Sequence, residues 1–254
     1  MTAPGRSFKD HFSGHAAAYA QHRPTYPESL FDWLAAQAPS GELAWDCATG
    51  NGQAALALAD RFKRVVASDA SAQQLSEARR AQNIDFRNEP AECSSLESAT
   101  VDLLSVAQAW HWFDHPAFAR EAERVLKPAA ILAVWAYPLA TVDAPVDAVV
   151  HELYEGTLGE WWPKERALIE DGYAALDMPW PVVDAPGFEM TARWDLAALM
   201  GYLGTWSALR RFMAEKGHNP LDAIADRLSR AWGDADSTKD VRWPLILKVF
   251  RKPS

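Results

Sequence analysis

The segment Asp46-Cys-Ala-Thr-Gly-Asn-Gly52 has the residue types of a turn that binds a nucleotide. Gly50 and Gly52 let the backbone approach a ligand closely, and N–H groups at the start of the following helix can face that ligand. Asp69 lies 19 residues after Gly50, where an acid can accept hydrogen bonds from both hydroxyls of a ribose. The spacing Gly50-x-Gly52-x-x-Ala55 also fits a dinucleotide fingerprint, so the turn alone leaves the nucleotide undecided.

Three further observations bear on which nucleotide the turn would bind. Asp46 lies four residues before Gly50, where a carboxylate would repel a pyrophosphate but could attract an ammonium group. About 42 residues precede the first apolar run, whereas dinucleotide folds often begin with it. The sequence also has no Tyr-x-x-x-Lys pair for reduction chemistry. These observations favour S-adenosylmethionine, an adenosyl group that carries an amino acid, over a nicotinamide dinucleotide.

A second group of candidate residues lies in Trp110-His-Trp-Phe-Asp114. An aromatic face in this run could help to hold a cationic sulfonium. His111, with an ordinary pKa of about 6.5, could remove a proton from a hydroxyl or amine nucleophile. We therefore treat Trp110, His111 and Trp112 as a substrate pocket and His111 as a candidate catalytic base. An ordinary packing role for these residues stays open, since buried polar groups are normally bonded for structural reasons.

Apolar runs that alternate with helical patterns predict the elements that position these residues. Strands are expected at 43–48, 64–69, 84–86, 101–107 and 131–136, and helices at 27–38, 53–62, 72–81 and 116–126. Such alternation is typical of βαβ units in a parallel sheet with right-handed crossovers. The end of the chain, Arg242–Phe250, is expected to return to that sheet as one further strand.

Composition excludes several classes of partner. The chain has 254 residues and a net charge of −9, which argues against DNA or an anionic membrane, because both select basic surfaces. No uncharged run reaches the ~20 residues of a membrane helix. Cys47 and Cys93 have no redox or metal-ligand spacing, and the histidines lack a matching third ligand motif. We therefore expect a soluble cytoplasmic protein that holds no metal.

Tryptophan is unusually frequent, with 12 residues. Five of them lie close together in the sequence, at Trp161, Trp162, Trp180, Trp194 and Trp206. Since aromatic side chains bury large areas, this cluster predicts either a heavy core or an aromatic-walled pocket.

Residues 43–136 closely resemble the class I S-adenosylmethionine-dependent methyltransferases, whose glycine motif is similar to Asp46–Gly52. Further motifs resemble a small-molecule branch that includes trans-aconitate-type methyltransferases; they are Tyr19–Pro27, Ala91-Glu92, Gln108–Asp114 and Leu126-Lys-Pro128.

This resemblance implies a site for S-adenosyl-L-methionine at the carboxyl ends of the strands. Asp46 would face the methionine ammonium, Asp69 would hold the ribose hydroxyls, and Gln108 would lie beside the methionine part. Arg23 could pair with a carboxylate of the cofactor or of an acidic substrate. The implied cofactor-binding residues are Tyr19, Arg23, Asp46, Ala48, Gly50, Gly52, Asp69, Ala70, Ala91, Glu92 and Gln108.

Two positions depart from the family pattern. The family usually has glycine where Ala48 stands, and it often has two glycines where this chain has Ala129-Ala130. A Cβ at position 48 could crowd the methionyl end of the cofactor. It therefore leaves open a non-catalytic S-adenosylmethionine-binding regulatory protein, and an NAD-dependent oxidoreductase is a further alternative.

Together, the residues and the resemblance predict a single α/β domain over residues 1–254, with a doubly wound, Rossmann-like sheet of seven strands. We expect an N-terminal helical lid (1–42), a cofactor-binding core (43–137), a Trp-rich helical cap (138–220) and a closing helix and strand (221–254). The expected reaction is in-line methyl transfer to an oxygen, carboxyl or nitrogen atom of a small molecule, with S-adenosyl-L-homocysteine as product.

Overall fold

The structure, a computed structural model, describes residues 24–254, in which six strands form one sheet. The strands are β1 (Leu43–Cys47), β2 (Arg64–Asp69), β3 (Ile84–Asn88), β4 (Val101–Ala107), β5 (Leu126–Ala136), β6 (Glu189–Trp194), β7 (Lys239–Pro244) and β8 (Ile246–Arg251). The main sheet has the order β3-β2-β1-β4-β5-β8, while β6 and β7 form a separate antiparallel ribbon. Strands β1 to β5 run parallel and β8 runs antiparallel to β5. This order confirms the predicted α/β, Rossmann-like class.

Helices connect these strands and cover both faces of the sheet. They are α1 (Glu28–Gln37), α2 (Gln53–Ala59), α3 (Ala72–Ser76), α4 (His115–Val125), α5 (Ala144–His151), α6 (Ala167–Glu170), α7 (Leu196–Gly204), α8 (Ser207–Lys216) and α9 (Leu221–Trp232). The side chains of Ser71, Asp114, Asp143 and Asp195 each accept a hydrogen bond from the N–H three residues later, which is how a cap satisfies an open helix start. No helix in the described part of the chain is long and apolar enough to cross a membrane.

The core lies on both faces of the sheet. Leu103 of β4 and Ile131 of β5 pack into one layer, whereas their neighbours Leu104 and Leu132 pack into the other. Because successive side chains of a strand alternate between faces, a sheet covered on both sides needs apolar residues at nearly every position. This explains why β4 and β5 are nearly uninterrupted apolar runs.

The predicted seventh strand is not formed within residues 24–254, so the prediction of a seven-stranded sheet is wrong there. A seventh strand would lie beside β8, where Val182 forms an isolated bridge to Phe250. Pro181 and Pro186 flank this bridge, and a proline has no N–H to donate to a neighbouring strand. Hydrogen bonding at this edge is therefore confined to a few residues.

Two predicted boundaries also differ from the structure. The expected strand Arg242–Phe250 is divided between β7 and β8, because Leu245 turns its N–H to the carbonyl of Phe188. The first part then pairs with β6 and only the second part joins the main sheet. The helix expected at 72–81 ends at Ser76, where the N–H of Glu77 closes a tighter turn on Gln74.

The tryptophan cluster serves both predicted purposes. Trp162 and Trp206 line a cavity, whereas Trp180 is buried in the core. Trp194 packs edge-on against Trp243, with ring centroids 5.0 Å apart.

Candidate active site

The glycine turn after β1 has the left-handed backbone that its residue types predict. Gly50 has a φ of +58° and Gly52 a φ of +83°, conformations that glycine adopts without steric cost. A Cβ built on Gly50 has Gln74 Oε1 as its nearest neighbour, at 3.8 Å, whereas one on Gly52 lies 3.3 Å from the ring of Phe86. The turn is thus open at Gly50 and closed at Gly52.

Asp69 ties this turn to the end of β2. Its Oδ2 accepts a hydrogen bond from the N–H of Gly50 at 2.8 Å, and its Oδ1 accepts one from the N–H of Ser71 at 2.8 Å. The parallel pairing of β1 with β2 sets Cys47 opposite Ser68, so the two strand ends lie side by side. Hydrogen bonds from two backbone N–H groups therefore hold the half-buried carboxylate beside the turn. The spacing of Asp69 from Gly50 predicts that a ribose binds at this position.

Asp46 lies beneath the turn rather than on its surface. The side chain is 1% exposed, and its oxygens accept hydrogen bonds from Thr49 Oγ1 at 2.5 Å and from Ser105 Oγ at 2.7 Å. Burial raises the pKa of this carboxyl from 3.8 to about 6, and the charge of Asp69 adds to the rise. The structure gives Asp46 a role in holding the turn to β4, and its contact with a ligand stays a prediction.

The predicted adenine-edge residues lie on neighbouring loops. Ala70 is exposed at the end of β2, and Ala91 is buried beyond β3. Glu92 Oε1 accepts a hydrogen bond from the N–H of Asp114 at 2.9 Å. This bond joins the loop after β3 to the loop after β4.

A cavity of about 110 Å³ opens at the carboxyl ends of β4 and β5. Gln108, just after β4, and Tyr137, just after β5, both line it, and Trp162 and Trp206 form further walls; we call it the edge cavity. Gln108 has a φ of +55° and donates its N–H to the carbonyl of Trp135 at 2.8 Å. A left-handed backbone is rare outside glycine, and such residues cluster at binding sites.

His111 lines the edge cavity, but its pKa differs from the ordinary value of about 6.5. The side chain is 8% exposed and its Nδ1 lies 2.9 Å from the hydroxyl of Tyr173. Burial lowers the pKa of His111 to about 3, and the charges of Arg166 and His115 act in the same direction. The imidazole is therefore neutral near pH 7 and is a weak base, which argues against the general-base role predicted for it.

Of the three residues predicted to form a substrate pocket, the structure brings two to the cavity. His111 and Trp112 line it, whereas Trp110 is buried and stacks on His115, with ring centroids 3.9 Å apart. Residues 110–112 form a 3₁₀ turn, in which neighbouring side chains diverge by about 120°. Trp110 consequently faces the core and is corrected to a packing residue.

Tyr19 and Arg23 lie outside the described residues, so the N-terminal part of the predicted cofactor site stays a prediction. Arg166 and Arg210 also line the edge cavity and were not predicted as site residues from the sequence. Their local sequence has no feature that separates them from ordinary surface arginines, because α8 and the turn before α6 meet only in the folded chain.

Comparison with known proteins places this geometry in a family. A model of a methyltransferase domain matches residues 45–134. A candidate methyltransferase of Dictyostelium discoideum is 32% identical over 270 aligned positions, which cover 99% of this chain and 100% of that protein. The chain belongs to the S-adenosylmethionine-dependent methyltransferases.

Two further methyltransferases resemble this one. A solved structure of a candidate type II methyltransferase from Anaeromyxobacter dehalogenans is 43% identical, with a TM-score of 0.86, and the match covers 91% of this chain and 99% of that one. An uncharacterized methyltransferase of Mycobacterium tuberculosis is 36% identical over 138 positions, covering 53% of this chain and 56% of that protein. Membership of this family decides against both alternatives that the sequence left open, the nicotinamide-dependent oxidoreductase and the non-catalytic binding protein.

The residues of this methyltransferase fit S-adenosylmethionine as cofactor. The turn is open at Gly50, where a Cβ would have, among residues 24–254, only Gln74 Oε1 within 4 Å. The carboxylate of Asp69 is fixed by two N–H donors, so it is oriented before a ribose arrives. Gln108 and the edge cavity follow along the same end of the sheet, where open α/β folds bind their ligands.

Proposed function

We propose that this methyltransferase methylates a small molecule bound in the edge cavity. The observation that carries the proposal is the continuity of the site: the cavity begins at Gln108, at the end of the strand beside the glycine turn. Aromatic side chains wall a cavity of about 110 Å³, a volume suited to part of a small organic molecule and not to a folded protein surface.

The chain's own residues would hold the two reactants in line. S-adenosylmethionine supplies a methyl group on a cationic sulfur. Gly50, Gly52 and Asp69 would hold its adenosyl part, with Ala70, Ala91 and Glu92 at the adenine edge. Transfer would break the C–S bond as the nucleophile–CH₃ bond forms and would leave the electron pair on sulfur in the product S-adenosylhomocysteine. Walls such as Trp112 would exclude water from this line.

A dedicated base is not part of the proposal. With its low pKa, His111 is a neutral imidazole near pH 7, with one ring N–H and one acceptor nitrogen, and it has little tendency to take up a second proton. Orientation of two bound reactants can supply ~7–11 kcal/mol of barrier reduction. A carboxylate nucleophile loses no proton on methylation, so it needs no base.

The remaining sequence expectations belong to this proposal. We place the enzyme in the small-molecule branch that resembles trans-aconitate-type methyltransferases, as one domain with a cap at 138–220 and a lid at 1–42, of which residues 1–23 lie outside the described part of the chain. The net charge of −9 supports a small-molecule acceptor over DNA or an anionic membrane. A cytoplasmic location is proposed because Cys47 and Cys93 are free thiols and form no disulfide.

Filling the cavity tests where the acceptor binds. Ser207→Trp places a large side chain on the cavity lining, and Ala214→Trp places the same side chain on the exposed side of α8. Transfer of a labelled methyl group to a panel of alcohols, amines and carboxylic acids should stop in Ser207→Trp and continue in Ala214→Trp. Both variants should bind S-adenosylhomocysteine like the wild type. Undiminished transfer by Ser207→Trp would refute the assignment.

A further inference from the structure

The edge cavity is positively charged in an otherwise acidic protein. Arg166 and Arg210 both line it, and among the described residues that form its lining there is no carboxylate. The chain as a whole carries a net charge of −9. Two guanidinium groups against aromatic walls favour an occupant that combines an anionic group with a flat or apolar body.

Arg166 is held through its Nε, which leaves the two Nη atoms of its guanidinium, here called its fork, available to bind a ligand. Its Nε donates a hydrogen bond to the hydroxyl of Tyr154, and its guanidinium lies 4.4 Å from the ring centroid of Trp162. Within residues 24–254 neither Nη atom has a hydrogen-bond partner. Glu170 Oε1 is 3.9 Å from Nε. Its negative charge therefore partly offsets the positive charge of Arg166 at Nε and not at the two Nη atoms. A planar fork with two available donors matches the two oxygens of a carboxylate.

Tyr154 holds this arrangement from a π-helical turn, Glu152–Thr157, that follows α5. Its hydroxyl accepts from Arg166 and donates to Glu170 Oε1 at 2.5 Å. Its ring packs against Trp162 and Trp206, at centroid distances of 4.7 and 5.7 Å. Short π-helical turns are rare in proteins, and those that occur are often found at functional sites.

Arg210 supplies the second positive charge from α8. One of its Nη atoms donates to the carbonyl of Thr205 at 3.1 Å, which orients the side chain along the cavity wall. Arg166 and His111 line the same cavity, and the charge of the guanidinium contributes to the low pKa of His111.

We propose that the edge cavity selects acceptors that carry a carboxylate, with Arg166 as the residue that binds it and Tyr154 as the residue that positions Arg166. This inference rests on the proposed function, since it names the chemical class of acceptor for that site. The two oxygens of the carboxylate pair with the two Nη atoms of Arg166, and the rest of the molecule packs against the wall formed by Trp162 and Trp206, whose ring centroids lie 5.5 Å apart.

Matched pairs of acids and amides test this proposal without turnover. The probes are phenylacetate, 3-phenylpropanoate and 2-naphthoate, each with its primary amide, titrated calorimetrically into the full chain saturated with S-adenosylhomocysteine. We expect at least one acid to bind about tenfold or more tightly than its amide, because only the acid forms a charge-assisted pair. In Arg166→Gln that ratio should fall to about one, while S-adenosylhomocysteine binds as before.

Three results would overturn the assignment of Arg166. Equal binding of acid and amide in every pair would do so, as would no binding of any acid. A tenfold loss of S-adenosylhomocysteine affinity in Arg166→Gln would show that this residue serves the carboxylate of the cofactor instead. Failure of wild-type protein to bind S-adenosylhomocysteine is a different result, which refutes the proposed function itself.

Further variants separate recognition from folding. Arg211→Gln is the matched control: Arg211 neighbours Arg210 on α8 but donates to the carbonyl of Trp161 outside the edge cavity, so the acid-to-amide ratio should not change. Arg166→Lys keeps the positive charge but not the planar guanidinium, so it should bind the acid more tightly than the amide by a smaller factor than the wild type does. This variant provides the test if Arg166→Gln does not fold.

Tyr154→Phe keeps the ring and removes the hydroxyl that holds Arg166. The acid-to-amide ratio should fall several-fold with S-adenosylhomocysteine binding unchanged. A variant that melts at a lower temperature but keeps the wild-type ratio would make Tyr154 a purely structural residue and overturn its positioning role.

Discussion

Replacing Asp46 by asparagine should flatten the dependence of protein stability on pH between about pH 4 and pH 6. Asp46 is buried with the hydroxyls of Thr49 and Ser105 as partners, and burial raises its pKa from 3.8 to about 6. Between those two values the unfolded chain is more ionised at this carboxyl, so the folded chain binds more protons. Stability therefore falls as pH rises through this window.

The size of the effect follows from the pKa. One pKa unit is equivalent to ~1.4 kcal/mol, so the complete change is about 3 kcal/mol, of which about 2 kcal/mol falls between pH 4.5 and pH 7.5. Asparagine has nearly the same shape and no charge to bury. Its oxygen can accept from one hydroxyl, and the other hydroxyl can rotate to accept from its amide.

Chemical denaturation at closely spaced pH values measures this difference. The free energy of unfolding of Asp46→Asn, relative to wild type, should rise by about 2 kcal/mol from pH 4.5 to 7.5. Glu121→Gln is a control of opposite sign: although burial alone would raise the pKa of Glu121, hydrogen bonds from Arg124 and Ser94 lower it. Its contribution to stability is lost as pH falls. Parallel curves for Asp46→Asn and wild type would refute the reasoning.

Three further predictions concern the same end of the sheet. Ala48→Gly and Ala129→Gly should each stabilise the fold by ~0.5–1 kcal/mol, because their φ values of +55° and +63° disfavour a Cβ. Only Ala48→Gly should also tighten the binding of S-adenosylhomocysteine, measured by calorimetric titration. Equal affinities of Ala48→Gly and wild type would show that the Cβ of Ala48 does not crowd the cofactor. Gly52→Ala should lower the free energy of unfolding by at least ~1 kcal/mol, since its Cβ would lie 3.3 Å from Phe86 at a φ of +83°, and an unchanged denaturation midpoint would count against it. The profile of kcat between pH 5.5 and 8 should run parallel in wild type and His111→Asn, because the pKa of His111 is about 3; an inflection near pH 6.5 in the wild type alone would restore the general base.

The elements that carry the cofactor residues could be predicted because their signals are local. An apolar run, a glycine turn and an acid at the end of the next strand lie within 30 residues, and the structure joins them directly through Asp69 and Gly50. The resemblance to the methyltransferase family also identified two positions where this chain departs from the family pattern, which residue spacing alone could not show. Where the family has glycine, Ala48 and Ala129 have left-handed backbones, so the chain keeps the conformation after losing the residue that favours it.

The rest of the site depends on contacts between segments far apart in sequence. Strands β6 and β7 pair across about 50 residues, and no local pattern reveals that Lys239–Pro244 leaves the main sheet for this ribbon. The low pKa of His111 arises from burial and from Arg166, which belongs to another segment. For the same reason Arg166 and Arg210 could not be recognised as cavity residues before the fold was known.

Thermal unfolding with S-adenosylmethionine, S-adenosylhomocysteine and NAD in separate samples tests the central claim most directly. At a hundredfold excess over the dissociation constant, either sulfur nucleoside should stabilise the protein by ~2.7 kcal/mol, which raises the melting temperature by ~5–10 °C for a chain of this size. NAD should produce no shift, and Asp69→Ala should lose the shift with both nucleosides. A shift with NAD alone, or no shift with any of the three ligands, would contradict the assignment of the glycine turn and Asp69 to S-adenosylmethionine.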